Sequence, residues 1–306
     1  FKSVMGLLLR TEKSVLFVIP WGRHWIIGTT DTDWHYDKAH PSATATDIQY
    51  VLDHVNAVLD DPITHDDIEG VYVGLRPLLA SDKESTTKLS REHVVVKPKP
   101  GLVLVAGGKW TTYRVMAHDA VDAAVEELNA TAGEGSIPAS VTASVPLLGA
   151  SGYKAAWNRR TRTAACAGLP KPVVEHLLNR YGSMADDLLA IIAAEPAQAE
   201  SLPGNPDYLL AEVTYAVTHE GALHIEDVLA RRTRFTIETR DRGLEAAAVV
   251  GKIMGKLLGW SAATEKKEVA NFRLGIEAEF AAEQQSTDEA ANAIRTAAPS
   301  ITEMPV

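Results

Sequence analysis

Residues 101–114 read GLVLVAGGKWTTYR, and the way they fold decides what the rest of the chain is arranged around. Residues 102–106 are an unbroken apolar run rich in β-branched side chains, which reads as a buried strand. Gly107 and Gly108 break it, and Thr111 and Thr112 mark the start of a helix. That helix places Val115, Ala120, Val121, Ala124, Val125 and Leu128 on one face and reaches about residue 131. Toward the N-terminus, residues 15–19 (VLFVI) and 24–29 (HWIIGT) read as two strands around a turn at Pro20, Trp21 and Gly22. Thr46-Asp-Ile-Gln49 has the spacing of a capping box, followed by apolar residues at helical period, which predicts a helix over about 47–59. Further strands are expected at 70–74 (GVYVG) and 92–97 (EHVVVK).

Residues 131–138, TAGEGSIP, have the composition of a linker, and the domain boundary is expected there, giving domains 1–131 and 132–306. Beyond it, helical patterns follow one another at 153–166, 171–181, 184–194, 207–219, 225–231, 242–258 and 262–283. The tail from about 284 is polar and Ala-rich and is expected to be mobile. The fold class read from these elements is α/β, an α+β sheet region with a closing strand and helix, followed by an all-α C-terminal domain.

A formal charge of −10 over 306 residues argues against nucleic-acid binding, which needs a surplus of Lys and Arg to displace counterions. A single cysteine, Cys166, excludes a disulfide framework, and its alanine-rich surroundings predict a small buried core residue. No stretch approaches the roughly 18 consecutive apolar residues of a membrane span. The ten histidines show no metal-ligand spacing, so a metal centre is not expected. The chain opens on Phe1-Lys2-Ser3, which is read as part of something longer.

The Gly-Gly-Lys turn is not a nucleotide-phosphate loop. That motif requires a glycine where this chain has Val103, and a Ser or Thr where it has Trp110. Two glycines do let another molecule approach the backbone closely, and the first N–H groups of a helix carry partial positive charge. With the Lys109 ammonium nearby, the turn suits a flat cofactor accumulating negative charge along one edge, such as the pyrimidine side of a reduced flavin. An ordinary strand-to-helix turn is the other reading. Arg76, in Gly74-Leu-Arg-Pro-Leu78, is flanked by apolar residues, a setting in which a guanidinium needs an anionic partner. Arg91, in Leu89-Ser-Arg-Glu-His93, precedes a strand. Together with Lys109 the two arginines would form a site for a small phosphorylated substrate; separately, each could serve a structural salt bridge. Glu226-Asp-Val-Leu-Ala-Arg-Arg-Thr-Arg234 permits an i,i+4 pair between Asp227 and Arg231.

Taken in order, IPWGRHWIIGTTDTDW, GLRPLL, SREH, GGKWTTYRVMAHDAVD, EVTYAVTHE and EDVLARRTRF strongly resemble the FAD-dependent glycerol-3-phosphate dehydrogenase family. The resemblance extends from about Val15 to Phe272. It implies FAD as cofactor and oxidation of sn-glycerol 3-phosphate to dihydroxyacetone phosphate, with electrons passed to quinone. Gly107, Gly108, Lys109 and Thr111 then lie along the flavin, while Arg76, Arg91 and Lys109 hold the substrate phosphate. Residues up to about 98 belong to the substrate sheet, and 99–131 form the closing strand and helix of a Rossmann-like FAD domain. The family's Gly-rich dinucleotide fingerprint is not found in these residues. The chain is therefore expected to be the C-terminal portion of the enzyme, inactive alone, with the catalytic base in the half that precedes it. A cytoplasmic location, peripheral on the inner face of the cell membrane, and a homodimer complete the picture. The competing readings are another FAD-dependent amine or amino-acid oxidase, which would use an Arg for a carboxylate, and a non-catalytic docking module.

Overall fold

The computed structural model describes residues 5–12, 15–76, 92–132 and 137–299. The chain divides into two compact units, Phe1–Gly74 with Gly152–Val306, and Leu75–Ser151. This partition differs from a linear boundary near residue 131, because the first segment is tied to the C-terminal helices. Arg23 pairs with Asp207 at 3.2 Å, Trp21 Nε1 donates to Glu238 at 3.4 Å, and Ala45 N donates to Gln285 O at 2.8 Å.

In the first unit, β1 (Leu7–Arg10), β2 (Val15–Trp21) and β3 (His24–Gly28) form an antiparallel sheet in that order. Gly22, at φ 58°, turns the chain between β2 and β3, where Trp21 pairs with His24. The two-residue period of β2 buries Leu16 and Val18 and leaves Val15, Phe17 and Ile19 exposed on the other face. Helix α1 (Ala45–Asn56) packs Val55 against the buried pair. Its cap lies two residues before the expected Thr46: Thr44 Oγ1 accepts from Asp47 N at 3.2 Å, and Asp47 Oδ2 accepts from Thr44 N at 3.0 Å. Because Thr44 is buried and closes both halves of the box, Thr44→Ala is expected to lower stability by about 1–2 kcal/mol in denaturant unfolding. The strand expected at 70–74 is absent. Gly70 lies against the backbone of Ile237 so closely that a Cβ would come within 2.6 Å of it, and the segment packs as coil.

The second unit contains the hairpin β4 (His93–Lys99) and β5 (Leu102–Gly107), turned at Gly101 with φ 77°, and helix α2 (Tyr113–Ala132). The helix meets the hairpin through polar groups. Lys97 Nζ pairs with Glu126 at 2.8 Å, and Glu127 accepts from Gly101 N at 2.8 Å. The expected apolar face is only partly covered: Ala120, Ala124 and Val125 are half-buried, while Val115, Val121 and Leu128 are exposed. Among its described residues this unit has no buried hydrophobic side chain, so apolar burial within it contributes little to its stability.

The remainder of the first unit is helical. Helices α3 (Tyr153–Ala167), α4 (Lys171–Tyr181) and α5 (Ala185–Ala194) share one core, to which α6 (Leu210–Thr218) contributes Ala211 and Tyr215. The other side of α6 joins a second core with α7 (Ala247–Leu258) and α8 (Ala262–Ala282). A small hairpin, β6 (Ser201–Leu202) and β7 (Asn205–Leu209), occupies the start of the helix expected at 207–219. The helix expected from 242 begins at Ala247, because Arg242 and Gly243 both have left-handed backbones, at φ 53° and φ 85°. The described part of the expected mobile tail, 285–299, is ordered: Thr287 caps α9 (Asp288–Ala297), Ala291 is buried, and Asn292 accepts from Asp37 N at 3.1 Å. Cys166 is exposed, two residues beyond the buried Ala164 and so turned to the opposite side of α3.

Candidate functional site

The turn at 107–112 is built from backbone. Gly107 and Gly108 are both left-handed, at φ 75° and φ 83°, a conformation that costs other residues free energy. Lys109 returns to extended backbone and leads into a single 3₁₀ turn, Trp110–Thr112, before α2 begins. Thr112 closes the turn by donating to Lys109 O at 3.0 Å and accepting from Lys109 N at 3.4 Å. The helix start expected near Thr111 or Thr112 is therefore where it falls. Lys109 and Thr111 are exposed, and Trp110, 86% exposed, stacks on Tyr113 with ring centroids 5.5 Å apart. The result is a glycine backbone free of side chains, the positive end of a helix and an exposed ammonium in one short turn.

Of the predicted site residues, Gly107, Gly108, Lys109 and Thr111 share this turn. Arg76 is exposed and belongs to the same compact unit, as its last described residue before 77–91. Arg91 lies outside the described residues. The structure adds two groups that sequence reasoning did not single out: His93 and Asp119, whose Nε2 and Oδ2 are 2.7 Å apart beside the turn. Hydrogen bonds from His93 and His118 hold the Asp119 carboxyl below its usual range.

The two helical motifs meet in a polar cluster. Glu212, fully buried, accepts from His176 Nε2 at 3.0 Å, Tyr181 OH at 2.9 Å and Leu209 N at 2.8 Å, with Arg180 Nε at 3.6 Å. Arg180 also donates to Arg232 O, and Arg232 donates to Glu220 O at 3.0 Å, linking EVTYAVTHE to EDVLARRTRF. Burial pushes the Glu220 carboxyl up. The expected pair between Asp227 and Arg231 does not form. Residues 227–232 make a π turn, so neighbours lie five apart, and Arg231 pairs with Glu226 at 2.7 Å while Arg232 approaches Asp227 at 3.9 Å. The arginine-rich run is thus mostly engaged, with Arg234 over the Trp21 ring at 4.5 Å.

Residues 3–122 match the family model for FAD dependent oxidoreductases, and residues 140–265 match the C-terminal domain of alpha-glycerophosphate oxidase. The chain belongs to the FAD-dependent oxidoreductase family. Among its relatives, glycerol-3-phosphate dehydrogenase 2 of Mycobacterium tuberculosis is 52% identical over 297 residues, covering 97% of this chain and 50% of the relative. The glycerol-3-phosphate dehydrogenase of Mycobacterium leprae is 50% identical over the same length. The X-ray structure of glycerol-3-phosphate dehydrogenase from Bacillus halodurans, complexed with FAD, superimposes with a TM-score of 0.72 at 27% identity, over 89% of this chain and 53% of that one. The chain spans about half the length of the curated relatives it matches. FAD is the cofactor of this family, and the turn fits part of its demand: unsubstituted glycine backbone, helix N–H groups and the exposed Lys109 all favour the flat edge of a ring that gains negative charge.

Proposed function

We propose that this FAD-dependent oxidoreductase chain supplies the flavin-edge turn and the phosphate-binding cations of a glycerol-3-phosphate dehydrogenase. The substrate is sn-glycerol 3-phosphate, the product dihydroxyacetone phosphate and the final electron acceptor a quinone. When bound, FAD accepts the hydride released from the substrate carbinol carbon. The observation that carries the reading is the GGKWTTYR turn, with its two left-handed glycines and exposed Lys109, inside a chain 52% identical to a glycerol-3-phosphate dehydrogenase. Arg76, Arg91 and Lys109 are assigned to the substrate phosphate. Fixing that remote group lets binding energy orient the carbinol toward the flavin. The open apolar faces of β4, β5 and α2 are assigned to packing against the rest of the whole protein.

For location, we propose peripheral contact with the cytoplasmic face of the cell membrane. No helix among the described residues is long and apolar enough to cross a membrane. Helix α3 has no carboxylate and exposes Lys154, Arg159 and Arg162, a local basic face on an acidic chain, of the kind that anionic lipid attracts.

The test is an anaerobic visible spectrum of the FAD-loaded, full-length protein before and after glycerol 3-phosphate. Bleaching by that substrate, absent with glycerol and weakened about 10- to 100-fold in apparent affinity by Arg76→Ala, is expected from loss of one charge-assisted contact to phosphate. A flavin that stays oxidised with glycerol 3-phosphate but bleaches with amines or amino acids would replace this reading with that of an amine oxidase.

A further inference from the structure

Two of the motifs carry residues that the flavin and phosphate assignments leave unused. They are His93 of SREH, and His118 and Asp119 of the segment following GGKWTTYR. The structure brings them together against the turn. His93 opens β4 and stands opposite Gly107 in the β4–β5 register. A Cβ on Gly108 would lie 3.2 Å from the His93 Cβ and would overlap the Met116 sulfur. His93 and Met116 therefore form the floor on which the two glycines rest.

The His93 ring is held in turn. Its Nε2 is 2.7 Å from Asp119 Oδ2, and the other carboxylate oxygen is 3.2 Å from His118 Nδ1, which also approaches Asp122 at 3.4 Å. An ionised carboxylate only accepts, so Nε2 carries the proton and donates it to Asp119. The bond joins the first residue of β4 to the second turn of α2, and the Gly107–Lys109 link is strung between those elements. A turn with no side chains at its two glycines cannot pack itself into shape. Its backbone goes where its supports hold it.

We infer that His93, fixed by Asp119, is the positioning residue of the Gly107–Gly108–Lys109 turn, setting the glycine backbone and the Lys109 ammonium where they meet FAD and the substrate phosphate. The inference rests on the reading of this turn as the flavin edge. Side-chain exposures of 20% for His93 and 43% for Asp119 mark a pair that contributes little to overall stability, so its loss falls on the turn and not on the fold.

The experiment measures FAD binding to the apoprotein of the whole enzyme by flavin fluorescence, alongside apoprotein melting. His93→Ala is expected to raise the FAD Kd about tenfold, the equivalent of one net hydrogen bond, with unchanged apoprotein melting. His93→Gln, which keeps an N–H for Asp119, is expected to restore most of the affinity. Gly108→Ala separates the positioning role from the flavin-edge reading. If it leaves the FAD Kd unchanged, the turn does not meet the flavin and the functional reading fails with the inference. If it weakens FAD while His93→Ala does not, only the positioning role is overturned. That role is also overturned if His93→Ala lowers apoprotein melting and His93→Gln recovers the melting without the affinity. Should His93→Ala fail to fold, Asp119→Ala carries the test, and an unchanged FAD Kd there overturns the inference.

Discussion

Glu212→Ala is expected to destabilise the helical part of the chain by about 3–5 kcal/mol, the typical cost of removing one partner from a buried ionic group. The carboxylate has no solvent exposure and satisfies three donors, from His176, Tyr181 and the backbone of Leu209, with Arg180 close by. Alanine leaves those donors facing a cavity. Burial, with the Glu212 carboxylate beside it, pushes the Tyr181 phenol far up, so its hydroxyl remains a donor at any ordinary pH and cannot adapt by ionising. Arg180 keeps its bond to Arg232 O but loses its charge partner, leaving a cation in a low-dielectric site. Glu212→Gln retains the shape and one acceptor oxygen but turns an NH₂ group toward donors, so an intermediate loss is expected. Urea unfolding followed by circular dichroism at 222 nm checks the order wild type, Gln, Ala. Equal stability of the Ala variant and wild type would show that the cluster is dispensable. Because Glu212 caps α6 and reaches α4, the loss should also reduce the cooperativity with which those helices unfold.

Helices α4 and α8 were legible in sequence nearly to the residue: Pro170 stands directly before the amphipathic α4, and α8 follows Ser261, whose side chain caps it by accepting from Thr264 N. The same logic failed at α9. Its Thr287 cap, acidic first turn and amphipathic spacing are in the sequence, but it buries only the small Ala291, and its partners Asp37 and Gly275 lie outside the helix. The Glu212 cluster was hidden for a related reason: its donors His176 and Tyr181 lie 36 and 31 residues away. Residues 227–232 show the local limit of pattern reading. An i,i+4 pair was expected of an α-helix, and the π turn moved each pairing one residue further. At the candidate site the turn was legible because consecutive glycines between a strand and a helix announce left-handed backbone. The support beneath it was not, since the contact of His93 with Asp119 depends on how α2 lies over the hairpin.

Gly108→Ala is expected to raise the FAD Kd of the loaded protein by about 10- to 100-fold, from some 1–3 kcal/mol of strain placed on the turn. The backbone is the first source of that strain. At φ 83° an L-residue brings its Cβ toward the following carbonyl, a cost glycine escapes. Packing then adds to it, since the new Cβ meets the Met116 sulfur inside contact distance and the His93 Cβ at 3.2 Å. Met116 is flexible and half-buried and can move aside, whereas His93 is held by strand pairing and by Asp119. The cheaper relaxation therefore shifts the backbone around Gly108 away from His93, out of the position in which the turn is assigned to meet the flavin. Met116→Ala in the Gly108→Ala background discriminates between these two sources of strain. If crowding dominates, the smaller side chain recovers FAD affinity; if the left-handed backbone dominates, the double variant stays as weak as the single one. Fluorescence titration of the apoproteins decides between these outcomes, and full affinity in Gly108→Ala alone would place the flavin elsewhere. The left-handed cost applies wherever the sulfur goes, so partial recovery is the expected result, with the remaining loss measuring what the glycine backbone itself contributes to the turn.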